Sequence, residues 1–350
     1  MQSRIEKLLN TIGEDEAVFI SSYPNIFYYS GFRSDDAYLL ISHDKRYIVT
    51  DSRYTIQAKE QAPDFELYDI KSGFEKLFSR ISERVIGIEE EEIQLKQYKS
   101  LKRKLGRRQE FVEMQKNINS LRRIKDEDEI RRIAAAEQIG DAAFEYVLPK
   151  IRAGITEREI ALELEFFMKK QGASALSFDT IAASGVRSAM PHGLASDKVI
   201  ENGDFLTLDF GCVYEDYCSD MTRTVAVGSV SERQREIYDV VLKAQLAAIN
   251  AAKAGRTCSF VDGVARKIIS DAGYGKNFGH GLGHSVGIEI HESPSFSPKC
   301  NDVLKNGHVI TVEPGIYIEG FGGVRIEDLI VIQNDEAVNL TSSPKELIIV

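Results

Sequence analysis

The strongest constraint in this chain is a long-range internal repeat. Asn202-Gly-Asp-Phe-Leu-Thr-Leu-Asp209-Phe-Gly211 returns 104 positions later as Asn306-Gly-His-Val-Ile-Thr-Val-Glu313-Pro-Gly315. Helix-start signals recur at nearly the same offset. Asp126 is matched by Ser231-x-x-Gln234, and Thr156-x-x-Glu159 by Ser259-x-x-Asp262. A unit that occurs twice has the same apolar faces to bury twice. The second part of the chain is therefore predicted to be two copies of helix–helix–strands, packed with approximate two-fold symmetry.

The first third does not share the repeat. It reads as a small α/β domain, with strands at 18–22, 37–42, 46–51 and 85–89 between amphipathic stretches near 2–12, 53–61, 73–82 and 95–105. The expected domains are 1–120 and 121–350. In the larger one, helices are predicted over 126–148, 156–172, 231–253 and 259–273. Strands are predicted near 176–184, 204–211, 218–227, 284–291, 308–313 and 324–332.

Composition removes several function classes. A net charge of −10 is the wrong sign for a nucleic-acid binder. The basic runs 102–108 and 121–132 read as solvated helix faces. No apolar run approaches the ~18 residues of a membrane span, and the N-terminal MQSRIEKLLN lacks a signal-peptide core. The four cysteines (Cys212, Cys218, Cys258, Cys300) form no CxxC pair, so a reducing cytoplasm is expected.

The repeat carries acids at matched places. Period-two geometry puts Phe205, Thr207 and Asp209 on one strand face, and Val309, Thr311 and Glu313 on its counterpart. A hairpin turn centred on Tyr214-Glu215 would set Asp209 opposite Asp220. One centred on Gly320 would set Glu313 opposite Glu327. Two-fold packing would then crowd four carboxylates, and like charges facing each other across strands destabilise. A pair of divalent cations is the simplest neutraliser.

Histidine is scarce, with six in the chain, yet five fall at 192, 280, 284, 291 and 308. Phe278-Gly-His280-Gly-Leu-Gly-His284-Ser-Val-Gly-Ile-Glu-Ile-His291-Glu292 holds three of them. Its four glycines argue for a tight turn entering a strand, not a helix. Ser295 and Pro294 exclude an HExxH helix. His43, beside Asp44 in an expected hairpin turn, reads as a surface residue, and His308 as peripheral to any site.

At these residues the chain resembles the proline-specific peptidases of the pita-bread metallopeptidase family (M24), aminopeptidase P and prolidase. The resemblance rests on Asn25-Ile-Phe-Tyr-Tyr-Ser-Gly31, Phe178-Asp-Thr-Ile-Ala-Ala-Ser-Gly185, Leu208-Asp-Phe-Gly211, Ser219-Asp-Met-Thr-Arg-Thr224, His280-Gly-Leu-Gly-His284, Val312-Glu-Pro-Gly315 and Arg325-Ile-Glu-Asp328. It implies an α/β (α+β) architecture, with a small creatinase-like N-terminal α/β domain and a C-terminal pita-bread domain built on a pseudo-two-fold duplication. It implies five ligands for two divalent ions: Asp209, Asp220, His284, Glu313 and Glu327. Mn²⁺ or Co²⁺ suits this oxygen-rich set, with Zn²⁺ and Fe²⁺ left open.

The resemblance also implies roles around the ions. Glu313 would shuttle a proton, and His192, His291 and His280 would line the reacting bond. Tyr317 and Arg325 would brace the ligands, and Phe178 and Ile181 would help form a proline pocket. The implied activity is Xaa-Pro aminopeptidase, with Xaa-Pro dipeptidase as the alternative. The implied assembly is a homodimer acting on proline-containing peptides, without nucleic acid or membrane. Methionine aminopeptidase, creatinase and a non-catalytic interaction module are further readings; the intact ligand set counts against the last two.

Overall fold

The computed structural model describes residues 2–350, and the chain divides into two compact units, Met1–Arg122 and Arg123–Val350. Among the described residues no helix is long and apolar enough to cross a membrane.

The first unit is built on a six-stranded sheet. Its spatial order is Glu66–Asp69, Arg46–Thr50, Tyr38–Ile41, Glu16–Ile20, Val85–Ile88, Glu110–Glu113. The four inner strands are the ones the sequence announces. The two edge strands escape such a reading because each begins and ends on an exposed acid and buries one residue at most. The helix Tyr23–Ser30 also escapes it. Asn25 to Ser30 are all buried, so no 3.6-residue stripe exists to be seen. Glu89 explains part of that burial. Its carboxylate accepts the backbone N–H groups of Ser21 (2.5 Å) and Ser22 (2.9 Å), the Ser22 hydroxyl (2.5 Å) and Asn25 Nδ2 (2.7 Å).

The second unit shows the duplication directly. The helices Glu127–Val147, Glu157–Lys170 and Glu232–Ala251 open on capping boxes at Asp126, Thr156 and Ser231. The fourth helix, Cys258–Asp271, starts earlier than the Ser259-x-x-Asp262 spacing predicts. Thr257 is its cap, accepting the Phe260 N–H at 3.2 Å, while Ser259 turns its hydroxyl to Thr257 and Asn301.

Each copy has its own core. Phe144, Leu164, Leu206, Leu208 and Phe210 pack in one, and Val241, Ile269, Ile310, Val312 and Ile330 in the other. Behind these cores lie two sheets. The first has the order Met221–Ala226, Phe205–Phe210, Ile181–Ser184. The second has the order Glu292–Phe296, Gly283–Ser285, Val309–Val312, Asp328–Gln333, Glu336–Asn339. The predicted strand over 284–291 is thus shorter and followed by a loop, and the strand after it holds Pro294.

Register decides which acids meet. The first hairpin turns on Glu215 and Asp216, whose φ values of 47° and 68° fit the two-residue left-handed turn that matches strand twist. The turn lies one residue beyond the predicted centre. Asp209 therefore pairs with Thr222, not Asp220. Asp220 stays on the same face because it lies two residues from Thr222. In the second copy Val312 faces Asp328 and Gly315 faces Arg325, a register centred on Gly320 that sets Glu313 against Glu327.

The two sheets join at an antiparallel bridge between Thr222 and Glu327, with the Glu327 N–H donating to the Thr222 carbonyl at 3.1 Å. Arg223 locks that seam. It is 1 % exposed and donates to the carbonyls of Thr222 (2.9 Å), Glu327 (2.5 Å), Ser343 (2.7 Å) and Pro344 (2.9 Å), and to Asp328 Oδ1 (2.8 Å). Asp328 is held in addition by Gln245, Asn339 and Lys345. Losing Arg223 leaves Asp328 with Lys345 but takes a buried charged donor from the carbonyls of Thr222, Glu327, Ser343 and Pro344. Arg223→Met is expected to lower unfolding free energy by about 3–5 kcal/mol, measured by urea titration; a loss within ~0.5 kcal/mol, the usual range for a surface change, would contradict this account of the seam.

Candidate metal centre

Five polar side chains converge where the two sheets meet. Asp209 comes from within the strand Phe205–Phe210, and Asp220 immediately precedes Met221–Ala226. His284 is the middle of Gly283–Ser285, Glu313 follows Val309–Val312, and Glu327 precedes Asp328–Gln333. One potential ligand atom each from Asp220, His284 and Glu327 lies within 4.8 Å of the others. His284 Nε2 is 3.4 Å from Asp220 Oδ2 and 3.5 Å from Glu313 Oε1. Asp209 lines the same cavity of about 550 Å³, which also holds Asp220, His284, Glu313 and Glu327.

The electrostatics of this cluster ask for a cation. Burial, and then the neighbouring acids, push Asp220 and Glu327 well above the ordinary carboxylate range; burial pushes Glu313 up to about 7. Burial also depresses His284. Its Nδ1 lies 3.3 Å from the Ser285 carbonyl, which can only accept, so the ring proton sits there and the Nε2 lone pair points at two carboxylates. A nitrogen lone pair beside carboxylate oxygens is a donor set suited to a cation. Asp209 adds a second sign: Oδ2 accepts from Arg325 Nη2 at 2.5 Å, while Oδ1 is buried with no hydrogen-bond partner. Four carboxylates and a neutral imidazole with its other nitrogen anchored on main chain fit divalent metal ions.

The surroundings hold these groups in place. The Arg325 guanidinium donates to Asp209, to the Tyr317 hydroxyl (2.8 Å), to Thr222 Oγ1 (3.0 Å) and to the Pro191 carbonyl (3.3 Å). His280 Nδ1 donates to the Gly281 carbonyl at 2.7 Å, so Nε2 accepts from Tyr317 at 3.0 Å. Arginine, tyrosine and histidine thus form one directed chain, with His280 kept neutral by burial, which lowers it to about 4. The His291 ring packs edge-on to His284, with centroids 4.4 Å apart, and His192 lines the cavity wall. Phe178 and Ile181 line it too, beside Leu194, Ile290 and Phe296.

Two hydroxyls carry roles that the sequence reading does not assign, although it places Thr311 on the face of Glu313. Thr222 takes the Arg325 Nε–H, so its own proton goes to Glu327 Oε2 at 2.6 Å. Thr311 accepts the His284 N–H at 3.0 Å and donates to Glu313 Oε1 at 3.1 Å. Both lie two residues from an acid on a strand, a spacing that puts them on the acid's face.

Comparison with known proteins gives the family. Residues 131–334 match metallopeptidase family M24, and residues 3–124 match the creatinase/prolidase N-terminal domain. The chain belongs to family M24. The Xaa-Pro dipeptidase of Pyrococcus furiosus is 42% identical over 99% of this chain and 100% of that protein. The solved Xaa-Pro dipeptidase from Bacillus anthracis superimposes with a TM-score of 0.96 at 43% identity, covering 100% of this chain and 99% of the other. The solved X-Pro aminopeptidase from Thermotoga maritima MSB8 gives 0.92 at 41% identity, covering 99% of both. The creatinase-type domain followed by an M24 pita-bread domain is the architecture, and a metallo-exopeptidase is the class of enzyme.

His308 stands apart from the M24 centre. It is buried, accepts the Lys305 N–H at 3.3 Å, and is lowered to about 4 by burial and by Lys125, Arg123 and Lys305. In the unfolded chain its pKa returns to about 6.5, so the unfolded state binds the proton first. Its contribution to stability is complete above about 6.5 and is lost as pH falls toward about 4. His308→Asn is expected to flatten the fall in melting temperature over that window; a slope equal to wild type would refute a neutral buried ring.

Proposed function

We propose that the chain is a two-metal exopeptidase that hydrolyses the bond between an N-terminal residue and proline, with Xaa-Pro dipeptides as its main substrates. The observation that carries the metal reading is the convergence of ligand atoms of Asp220, His284 and Glu327 within 4.8 Å, with Glu313 Oε1 3.5 Å from His284 Nε2. The dipeptidase reading is supported by whole-length similarity to proteins named Xaa-Pro dipeptidase.

In this proposal Asp209, Asp220, His284, Glu313 and Glu327 would hold the ions, with Mn²⁺ or Co²⁺ as the metal. When bound, two such ions acidify a water molecule and polarise the peptide carbonyl. Glu313, seated on Thr311, would take a proton from that water and pass it to the departing proline nitrogen. His192 and His291 present ring N–H groups to the carbonyl oxygen as negative charge develops on it. The Arg325–Tyr317–His280 chain fixes the wall beside Asp209. Phe178 and Ile181 pack on the pyrrolidine ring. An Xaa–Pro bond is a tertiary amide without N–H, so an apolar wall costs this substrate no hydrogen bond. The proposal extends to a homodimer in a reducing cytoplasm.

One observation favours the aminopeptidase reading. Among the residues lining the cavity the only arginine or lysine is Arg325, whose guanidinium is already engaged by Asp209, Tyr317, Thr222 and Pro191. The C-terminal carboxylate of a dipeptide meets no further guanidinium or ammonium there, whereas a longer peptide needs none.

Turnover of Ala-Pro, Ala-Pro-Ala and a longer Xaa-Pro peptide with added Mn²⁺ or Co²⁺ separates the two. Cleavage confined to Ala-Pro is expected, and efficient cleavage of the longer peptides would replace dipeptidase by aminopeptidase. His284→Ala is expected to lose one ion per chain by elemental analysis and to drop kcat by roughly 10³-fold or more, a metal-assisted share of the barrier of several kcal/mol. Near-normal turnover would remove His284 from the ligand set.

A further inference from the structure

Glu137 lies on the helix Glu127–Val147, is fully buried, and takes no part in the chemistry above. Its Oε2 accepts the backbone N–H of Asp220 at 3.2 Å, and its Oε1 accepts the Thr341 hydroxyl at 2.6 Å. Thr341 Oγ1 in turn accepts the backbone N–H of Leu329 at 2.9 Å. Asp141 and Asp328 are among the charges acting on Glu137, and both are acidic. Burying an acid beside like charges is costly, and a leucine would fill the same volume without that cost. Packing alone does not account for it.

The two N–H groups that Glu137 and Thr341 accept are informative. Asp220 lies where the chain leaves the short strand Tyr217–Cys218 and before it enters Met221–Ala226; there its N–H meets a side chain, not a main-chain carbonyl. Leu329 is two residues beyond Glu327, at the start of Asp328–Gln333. We propose that Glu137 is a positioning residue for the metal centre. Together with Thr341 it forms a buried strut that fixes the main chain at Asp220 in one copy and beside Glu327 in the other. This inference rests on reading Asp220 and Glu327 as metal ligands. A metal-ligating carboxylate tolerates little displacement, and the strut ties the main chain at Asp220 to that at Leu329.

The test is calorimetric titration of Mn²⁺ into chelator-treated, full-length protein, with melting of the metal-free protein recorded alongside. Thr341→Val, nearly isosteric, and Glu137→Leu are both expected to weaken Mn²⁺ binding roughly 10–100-fold, the usual effect of losing a group that orients a ligand. Thr341→Ser, which keeps the hydroxyl, is expected to restore it. Should Glu137→Leu not fold, Thr341→Val and Thr341→Ser decide the matter alone. Folded variants that bind Mn²⁺ as tightly as wild type, with only the metal-free melting temperature lowered, would overturn the strut and leave the metal centre standing. Wild-type protein that binds no Mn²⁺ would overturn both.

Discussion

Four carboxylates forced into one water-poor seam are the constraint on which the second unit depends. Asp209, Asp220, Glu313 and Glu327 arrive there from two copies of one motif, and within the protein a single arginine, Arg325, answers them directly. Bringing like charges together out of water opposes folding, so the surrounding structure has to hold them. Strand ladders set their spacing, Thr222 and Thr311 aim individual oxygens, and Arg223 binds the seam. The same crowding that is costly to the empty fold is what gives affinity for small, doubly charged ions.

Much of this was legible in the chain. The repeat, the capping boxes at Asp126, Thr156 and Ser231, and the acids at Asp209 and Glu313 are local patterns, and local patterns survive folding. What escaped depended on tertiary context. The half-exposed edge strands Glu66–Asp69 and Glu110–Glu113 lack an apolar signature of their own. The turn at Glu215–Asp216 misled because neither residue is glycine, the usual marker of a left-handed pair. Its one-residue displacement exchanges Thr222 for Asp220 as the partner of Asp209. Glu137 was invisible for another reason. A glutamate in a charged helix reads as solvent-facing, and only the fold shows that it points inward at Asp220.

The cavity has two characters. Its floor is ionic and rigidly hydrogen-bonded, and its walls, from Phe178, Ile181, Leu194, Ile290 and Phe296, are apolar. That division suits a substrate whose reacting carbonyl is polar and whose neighbouring ring is not.

The seam arginine is not mirrored across the repeat. Asp220 and Glu327 correspond at an offset of 107, which matches Arg223 with Ile330 and Asp328 with Met221. The position of an ion pair in one orientation is held by two buried apolar residues in the other. Two first copies brought together would bury a guanidinium against methionine, and two second copies a carboxylate against isoleucine. Each half therefore recognises the other and rejects itself. A domain that looks like a dimer drawn into one chain has, at this contact, given up the freedom to be one.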